Sequence, residues 1–323
     1  MTRPAPILLA LVAALAGSAA ARAETAYVSN ERASTVTVID VPSRKVVATW
    51  PVGKRPRGIH LAPDGRSVLI AVGIDNAIEK RDRATGALVA SLNAGEDPEQ
   101  FIVSRDGKLA IASNEDDAAI SAVDLATNTI AWQAPAGRDP EGVAQSPDGR
   151  IVVATSEDKN TLTWVDAASH AVIATTDTDL RPRHAEFTPS GKELWVSAEN
   201  GQVIQVIDPA TRAVVRTIRF APPGVTPFKV MPCGIAFTRD GTRAVVALGR
   251  ANAIALVDVA SHAVTGYVSV GSRPWHLALS VDEKQVLVAN GVSNDVSVVD
   301  LASRSVIATI AAGDGPWGVA IAP

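Results

Sequence analysis

Seven prolines in this chain carry chemically loaded neighbours. Around Pro56, Pro98, Pro140, Pro182, Pro232, Pro274 and Pro316 the flanking pairs read Arg55/Arg57, Asp97/Glu99, Asp139/Glu141, Arg181/Arg183, Met231/Cys233, Arg273/Trp275 and Gly315/Trp317. A guanidinium fork matches carboxylates, and an indole offers a face for stacking. Arg55, Arg57, Arg181, Arg183, Arg273, Trp275 and Trp317, with His60, His184 and His276 close by in sequence, are therefore the expected ligand-binding residues for an anionic or aromatic molecule. Asp97, Glu99, Asp139 and Glu141 form an acidic sector suited to a cation or a basic partner surface. The plainer alternative is that these charges neutralise one another in rim salt bridges.

No catalytic residue is assigned. The chain has no Gly-rich phosphate loop, HExxH helix, CxxC pair or nucleophile elbow. The oxygen-rich stretches NEDD and NGVSND lack calcium-loop spacing, so no metal site is expected. Cys233 has no base in sequence reach that would mark it as a nucleophile. Were the protein an enzyme, Glu186 with His60 is the pair to nominate, because both replace the small residue found four positions after most of the prolines.

The elements that must position these groups follow from the spacing. Successive prolines are 42 residues apart except for one step of 50, and the Asp that ends each alternating apolar run (Asp40, Asp82, Asp124, Asp166, Asp208, Asp258, Asp300) keeps the same spacing. The extra eight residues fall in FAPPGVTPFKV, 220–230. Each period holds four short runs with two-residue alternation, divided by Gly, Pro, Asp and Asn turns. Four antiparallel strands per repeat, seven times, predict an all-β seven-bladed propeller. The chain begins with three strands and ends with a lone one, WGVAIAP, so pairing the termini in one blade would close the ring. In such a ring the proline-flanking residues gather at one mouth of the central channel. The opposite face carries PDG-type turns and turns such as DAASH, in which His170 and His262 read as structural. Trp50, Trp132, Trp164 and Trp195 fall within strand runs and read as packing between blades.

Residues 1–23, with a short basic start, an apolar run and the ending Ala21-Arg22-Ala23, read as a secretory signal peptide, leaving 24–323 as a single propeller domain. The apolar run is too short for a membrane span, which needs roughly 20 residues, and a periplasmic destination is expected. Cys233 is the sole cysteine, so no internal disulfide can hold the fold; a core drawn from 47% hydrophobic residues must do so. Removing Arg3 and Arg22 with the leader takes the formal charge from −4 to −6, with no basic run for nucleic acid. A monomer is expected.

Strand pairs such as AYVSN…TVTVID and VLVAN…VSVVD resemble the YVTN family of β-propeller repeats. More narrowly, RPRGI, DPEQF, DPEGVAQSPDG, RPRHAEFTPSGKELWVS, ALGRANAIALVD, NGVSNDVSVVDL and PWGV, in that order with the Pro-rich insertion before blade five, are similar to the PQQ-dependent catabolism-associated β-propeller proteins. That resemblance implies a periplasmic accessory or binding protein working beside a quinoprotein alcohol dehydrogenase, its cytochrome c and an ABC transporter binding protein. It requires no cofactor, leaves PQQ as a candidate ligand and transfers no catalytic residue. A lactonase-like enzyme, since seven-bladed propellers include lactonases, and a pure interaction scaffold are the alternatives.

Overall fold

A computed structural model describes residues 24–323, so the expected leader, 1–23, lies outside the described residues. Its 28 strands form seven four-stranded antiparallel sheets, the all-β propeller that the repeats require. The inner strands are Pro56–Leu61, Pro98–Val103, Val143–Gln145, Pro182–Phe187, Pro232–Phe237, Pro274–Leu279 and Pro316–Ala322, for blades 1 to 7. The last of these pairs antiparallel with Thr25–Asn30, placing Thr25 opposite Ala322 and Val28 opposite Val319. Blade 7 is thus built from both ends of the described chain, and the ring has no open strand edge between first and last blades. Among the described residues no helix is long and apolar enough to cross a membrane.

Turn chemistry sets the strand ends. Asp64 Oδ1 accepts from the N–H groups of Arg66 and Ser67 at 2.8 and 2.9 Å, while Gly65 takes φ +65°. In the related turns the hydroxyls of Ser146 and Thr238 hold the Asp148 and Asp240 carboxyls down at about 2. His170 and His262 occupy left-handed positions, both at φ 59°, in the turns on the same face. His170 stacks on Trp132 at 4.8 Å between ring centroids, and His262 Nε2 lies 3.0 Å from Glu193.

The core lies between neighbouring blades, where middle-strand side chains of both sheets meet. Trp195 of blade 4 packs edge-on against Phe237 of blade 5 at 5.0 Å, within a cluster that also takes in Phe220 and Val230 from the two ends of the insertion. Trp164 and Trp195 are fully buried, and Trp50 and Trp132 nearly so, as expected for packing residues. The insertion itself is tied down by the Ala221 N–H donating to Tyr267 Oη at 2.7 Å, with a short 3-10 turn at Pro227–Lys229 that leaves Phe228 exposed.

Deleting Trp317–Pro323 removes most of the strand that closes the ring and strands Thr25–Asn30 with an unpaired edge. The truncated chain is expected to lose its single cooperative thermal transition in circular dichroism. An unchanged melting temperature would contradict closure through blade 7.

Candidate functional site

The mouth is built by a turn repeated in every blade. The residue before each proline sits in the left-handed region, from φ 43° at Met231 to 73° at Gly315, although six of the seven are not glycine. Its carbonyl accepts from the first residue of the loop joining the second and third strands of its own blade: Glu31 to Gly315, Gly73 to Arg55, Glu115 to Asp97, Glu157 to Asp139, Glu199 to Arg181, Gly249 to Met231 and Gly291 to Arg273, at 2.7 to 3.2 Å. An asparagine from the preceding blade often accepts the N–H of the same residue, as Asn160 does for Arg181 at 2.7 Å and Asn252 for Arg273 at 3.0 Å. Every such turn aims its flanking side chains over the channel.

Those side chains pair with one another. Arg183, 3% exposed, reaches Glu141, Glu157 and Glu199 at 3.1, 2.9 and 3.2 Å, three carboxylates from three elements around one guanidinium. Arg57 holds Glu31 at 2.8 Å, Glu141 at 3.5 Å and Glu99, which is fully buried. Arg55 is bound by Asp97 at 2.7 Å, by Glu115 at 3.3 Å and by Glu99. Arg181 binds Glu157 and Glu199 at 2.8 and 3.1 Å, and Arg273 pairs with Glu199. Two indoles complete the layer: the Trp275 ring lies 3.9 Å from the Arg273 guanidinium carbon and 4.7 Å from that of Arg183, and Trp317 lies 5.7 Å from that of Arg57.

Five guanidiniums thus face seven carboxylates. Burial would raise both Glu157 and Glu199, but the outcomes differ. Arg183 and Arg273 hold Glu199 below the usual range, whereas burial and the neighbouring Glu141 raise Glu157. The cluster Asp97, Glu99 and Glu115 brings its oxygens close enough together for a cation. Arg55 already occupies its centre.

The expected site residues therefore fall into separate layers. Arg55, Arg57, Arg181, Arg183, Arg273, Trp275, Trp317, Asp97, Glu99 and Glu141 do meet at the mouth, as partners of one another. Asp139 is exposed and makes no ion pair among the described residues. Cys233 is buried beneath Arg273, with burial first and Glu199 second pushing its thiol up to about 12, so it stays protonated. The sequence reading did not single out Glu31, Glu157 or Glu199, and touched Glu115 only within the NEDD stretch. The signal was present: the four occupy the same place in the repeat, at multiples of the 42-residue spacing. Where that place holds glycine, an Arg or Trp lies across it; a side chain at Gly249 or Gly291 would meet Arg273 or Trp275.

His60, His184 and His276 belong to the channel below. Two positions after the prolines the ring reads Gly58, Gln100, Gly142, His184, Gly234, His276 and Gly318, an alternation of glycine with long polar residues. A Cβ on Gly142 would stand 2.8 Å from the Arg183 carbonyl and 2.9 Å from His184 Cα, so the glycines let the inner strands close up around the long side chains. Gln100, which the sequence reading did not single out, bridges the two imidazoles. Its Nε2 lies 2.8 Å from His276 Nε2 and its Oε1 3.1 Å from His184 Nδ1.

Two residues deeper, His60 and Glu186 line the channel rather than the space between blades. His60 is open to the lumen yet walled by protein, and burial lowers its pKa to about 4. Burial also brings His184 to about 4 and His276 well below the ordinary value, while pushing the Glu186 carboxyl up to about 7. At neutral pH the three imidazoles of the lumen are therefore neutral while Glu186 is about half ionised, beneath a mouth dense with paired charge.

Together these features define a seven-bladed propeller whose hub is a charge-paired mouth above a histidine-lined channel. The family profile of the choice-of-anchor I domain matches residues 126–296, and the chain belongs to that family. No curated protein matches its sequence. Among solved structures it is similar to hydrazine synthase of Kuenenia stuttgartiensis, with TM-score 0.78 and 21% identity over 86% of this chain and 92% of that one. It is similar also to a protein of unknown function from Desulfotomaculum acetoxidans DSM 771, with TM-score 0.78 and 14% identity over 92% of this chain and 98% of the other. A candidate 6-phosphogluconolactonase of Bacteroides uniformis ATCC 8492 gives TM-score 0.78 and 17% identity over 93% and 100%. At these identities the three likenesses show the shared fold alone.

Arg183→Met keeps the side-chain length but leaves Glu141, Glu157 and Glu199 without their common partner. It is expected to cost about 3–5 kcal/mol in denaturant unfolding, the usual penalty for removing one side of a buried ion pair. A loss below about 1 kcal/mol would place the network among weak surface pairs. Glu186→Gln mimics the protonated carboxyl. Because the folded pKa of Glu186 lies above its unfolded value, wild-type stability from this group is full below about 4.5 and is lost as pH rises through about 7. The melting temperature of Glu186→Gln relative to wild type should therefore climb between pH 5 and pH 8, on the order of the interval set by those two values. A difference that does not change with pH would mean that Glu186 ionises freely.

Proposed function

We propose that this protein is a non-enzymatic periplasmic binding propeller serving PQQ-dependent alcohol oxidation, which docks a protein of that system on its mouth face. The docked protein is the dehydrogenase, its cytochrome c or the transporter's binding protein. One observation carries the reading. Apart from Asp139, the clustered charges at the mouth are paired within the protein, while the loops around them present Ile74, Leu180, Phe228 and Val292, each more than half exposed. Among the described residues, the other large apolar side chains of comparable exposure all lie on the outermost strands, and none lies on the opposite turn face. Apolar anchors ringed by charge suit a protein surface better than a small reactant.

The paired mouth also bears on PQQ as a ligand. A polycarboxylate would have to compete for Arg55, Arg57, Arg183 and Arg273 with carboxylates already in contact with them, so no cofactor is required by this reading. Arg181, with 45% of its side chain exposed, is the guanidinium most open to such a molecule.

A second reading has its own support. Glu186, with its raised pKa, and His60 face one cavity, the pattern of a site in which a carboxyl could act as general acid or base. The candidate lactonase among the fold's neighbours makes a lactone the reactant to try.

Calorimetric titration of mature protein with the dehydrogenase, its cytochrome c, the binding protein and PQQ tests the first reading. Micromolar binding to one of the proteins, weakened about tenfold by Phe228→Ser or Leu180→Ser, is expected for a lost apolar anchor. Absence of heat with all three proteins would overturn it. Turnover of a lactone panel that disappears in Glu186→Gln would replace it with the second.

A further inference from the structure

Glu186 differs from the carboxylates above it in having no cation of its own. Each of the seven carboxylates clustered at the mouth is held by a guanidinium. Among the described residues the one basic group close to Glu186 is His184, whose Nε2 stands 3.8 Å from Oε2, beyond hydrogen-bond reach. That imidazole is brought to about 4 by burial, so it is no counter-ion at neutral pH. At the level of Glu186, four residues past the prolines, the ring otherwise carries His60, Ile102, Ala144, Ala236, Ala278 and Ala320. None of these is a cation at neutral pH, since burial brings His60 to about 4 as well. Arg105, on the turn beyond the blade 2 inner strand, donates to the Gln145 carbonyl at 3.3 Å, and its charge offsets less at Glu186 than burial adds.

The carboxyl lines a cavity of ≈ 200 Å³, smaller than the roughly 300–1,000 Å³ of sites for drug-sized ligands. Apolar side chains supply much of the wall, among them Ile59, Phe101 and Leu277, and no lysine or arginine lines it. Exposure along the inner strands rises away from the mouth: Glu99, Arg183 and Trp317 near the prolines are buried, whereas His60 is exposed and 38% of the Glu186 side chain is open. The cavity is thus reached from the face opposite the charged mouth. Among the described residues the one group of three potential metal ligands, Asp97, Glu99 and Glu115, lies in the mouth and not here.

We propose that this cavity binds a small primary alkylammonium ion, whose N–H groups donate to the Glu186 carboxylate while its alkyl part meets Ile59, Phe101 and Leu277. An ammonium supplies both things the carboxylate lacks, a counter-charge and hydrogen-bond donors, in a bond stronger than a neutral pair would make. An anion would be repelled by Glu186, an uncharged molecule would leave the ionised carboxyl without a counter-charge, and a metal ion would find no set of three ligands. Across pH 6 to 8 Glu186 is the group of the cavity that titrates, because His60, His184 and His276 lie well below that range and Arg105 stays charged. Its ionised fraction, with a midpoint of about 7, rises from about a tenth to about nine-tenths over that interval, and apparent affinity follows the competent fraction. The proposal does not rest on which protein docks at the mouth, and it concerns binding, so lactone turnover neither supports nor removes it.

Saturation-transfer NMR on the mature protein, with propylammonium, propan-1-ol and propionate as probes, tests it. At pH 8, transfer to propylammonium at millimolar concentration is expected, with propan-1-ol at least about tenfold weaker and no transfer to propionate. Propylammonium keeps its proton across this range, so its affinity should tighten about tenfold from pH 6 to pH 8 while that of propan-1-ol stays constant. Glu186→Gln keeps the shape and removes the charge; it should abolish both the preference for the ammonium and the pH dependence, with a melting temperature at pH 7 no lower than that of wild type. Should that variant fail to fold, the pH dependence of the wild type still decides. No transfer to propylammonium, equal affinity for the three probes, an ammonium affinity that is flat with pH, or an unchanged preference in folded Glu186→Gln would each overturn the proposal.

Discussion

The hub of this propeller depends on a backbone conformation that side-chain-bearing residues avoid. Six residues that are not glycine are held left-handed immediately before a proline, at a cost of order 1–3 kcal/mol each. What holds them is a hydrogen bond from the loop of the same blade to their carbonyl and, in several blades, an asparagine from the blade before that accepts their N–H. The second bond crosses between blades, so the same contact that sets the turn also spaces the ring. Were these turns to relax, Arg55, Arg181 and Arg273 would no longer lie across the channel.

Given that geometry, the charged layer follows from proximity. Once guanidiniums and carboxylates of adjacent blades are crowded beneath the turns, water cannot solvate them, and only mutual pairing makes the burial tolerable. Arg suits the task because its planar fork serves several carboxylates at once, as Arg183 does for three. The excess of carboxylates is relieved at Glu157, where like charge and burial favour the proton. Below, the glycine alternation lets Gln100, His184 and His276 fill the lumen as neutral, hydrogen-bonded groups. The protein therefore crowds its paired charges at one end of the channel and leaves Glu186 as the one carboxyl lining the cavity below.

This separation orders the functional readings. The mouth is a charge-paired frame whose loops carry the apolar contacts a partner would use, and the lumen is a small cavity lined by apolar side chains, neutral imidazoles, Gln100 and Glu186. Membership of the choice-of-anchor I family and likeness to several propellers establish the architecture. Function has to be argued from the two ends of the channel, because propellers of one shape carry unrelated chemistries.

Period, blade count, ring closure and the face bearing the charged residues were all legible in the sequence, because strand alternation, turn residues and a 42-residue spacing are local signals repeated seven times. The sequence also placed His60, His184 and His276 near the hub. Which guanidinium would meet which carboxylate was decided only by the tertiary structure, since Arg183 draws partners from blades 3 and 4, as much as 42 residues away along the chain, and Arg273 reaches Glu199 from 74. The hydrogen-bonded link of Gln100 to His184 and His276, over 84 and 176 residues, was equally out of sight. A one-dimensional pattern records what each blade repeats; contacts across the lumen join positions where the blades differ, and these exist only once the ring is closed.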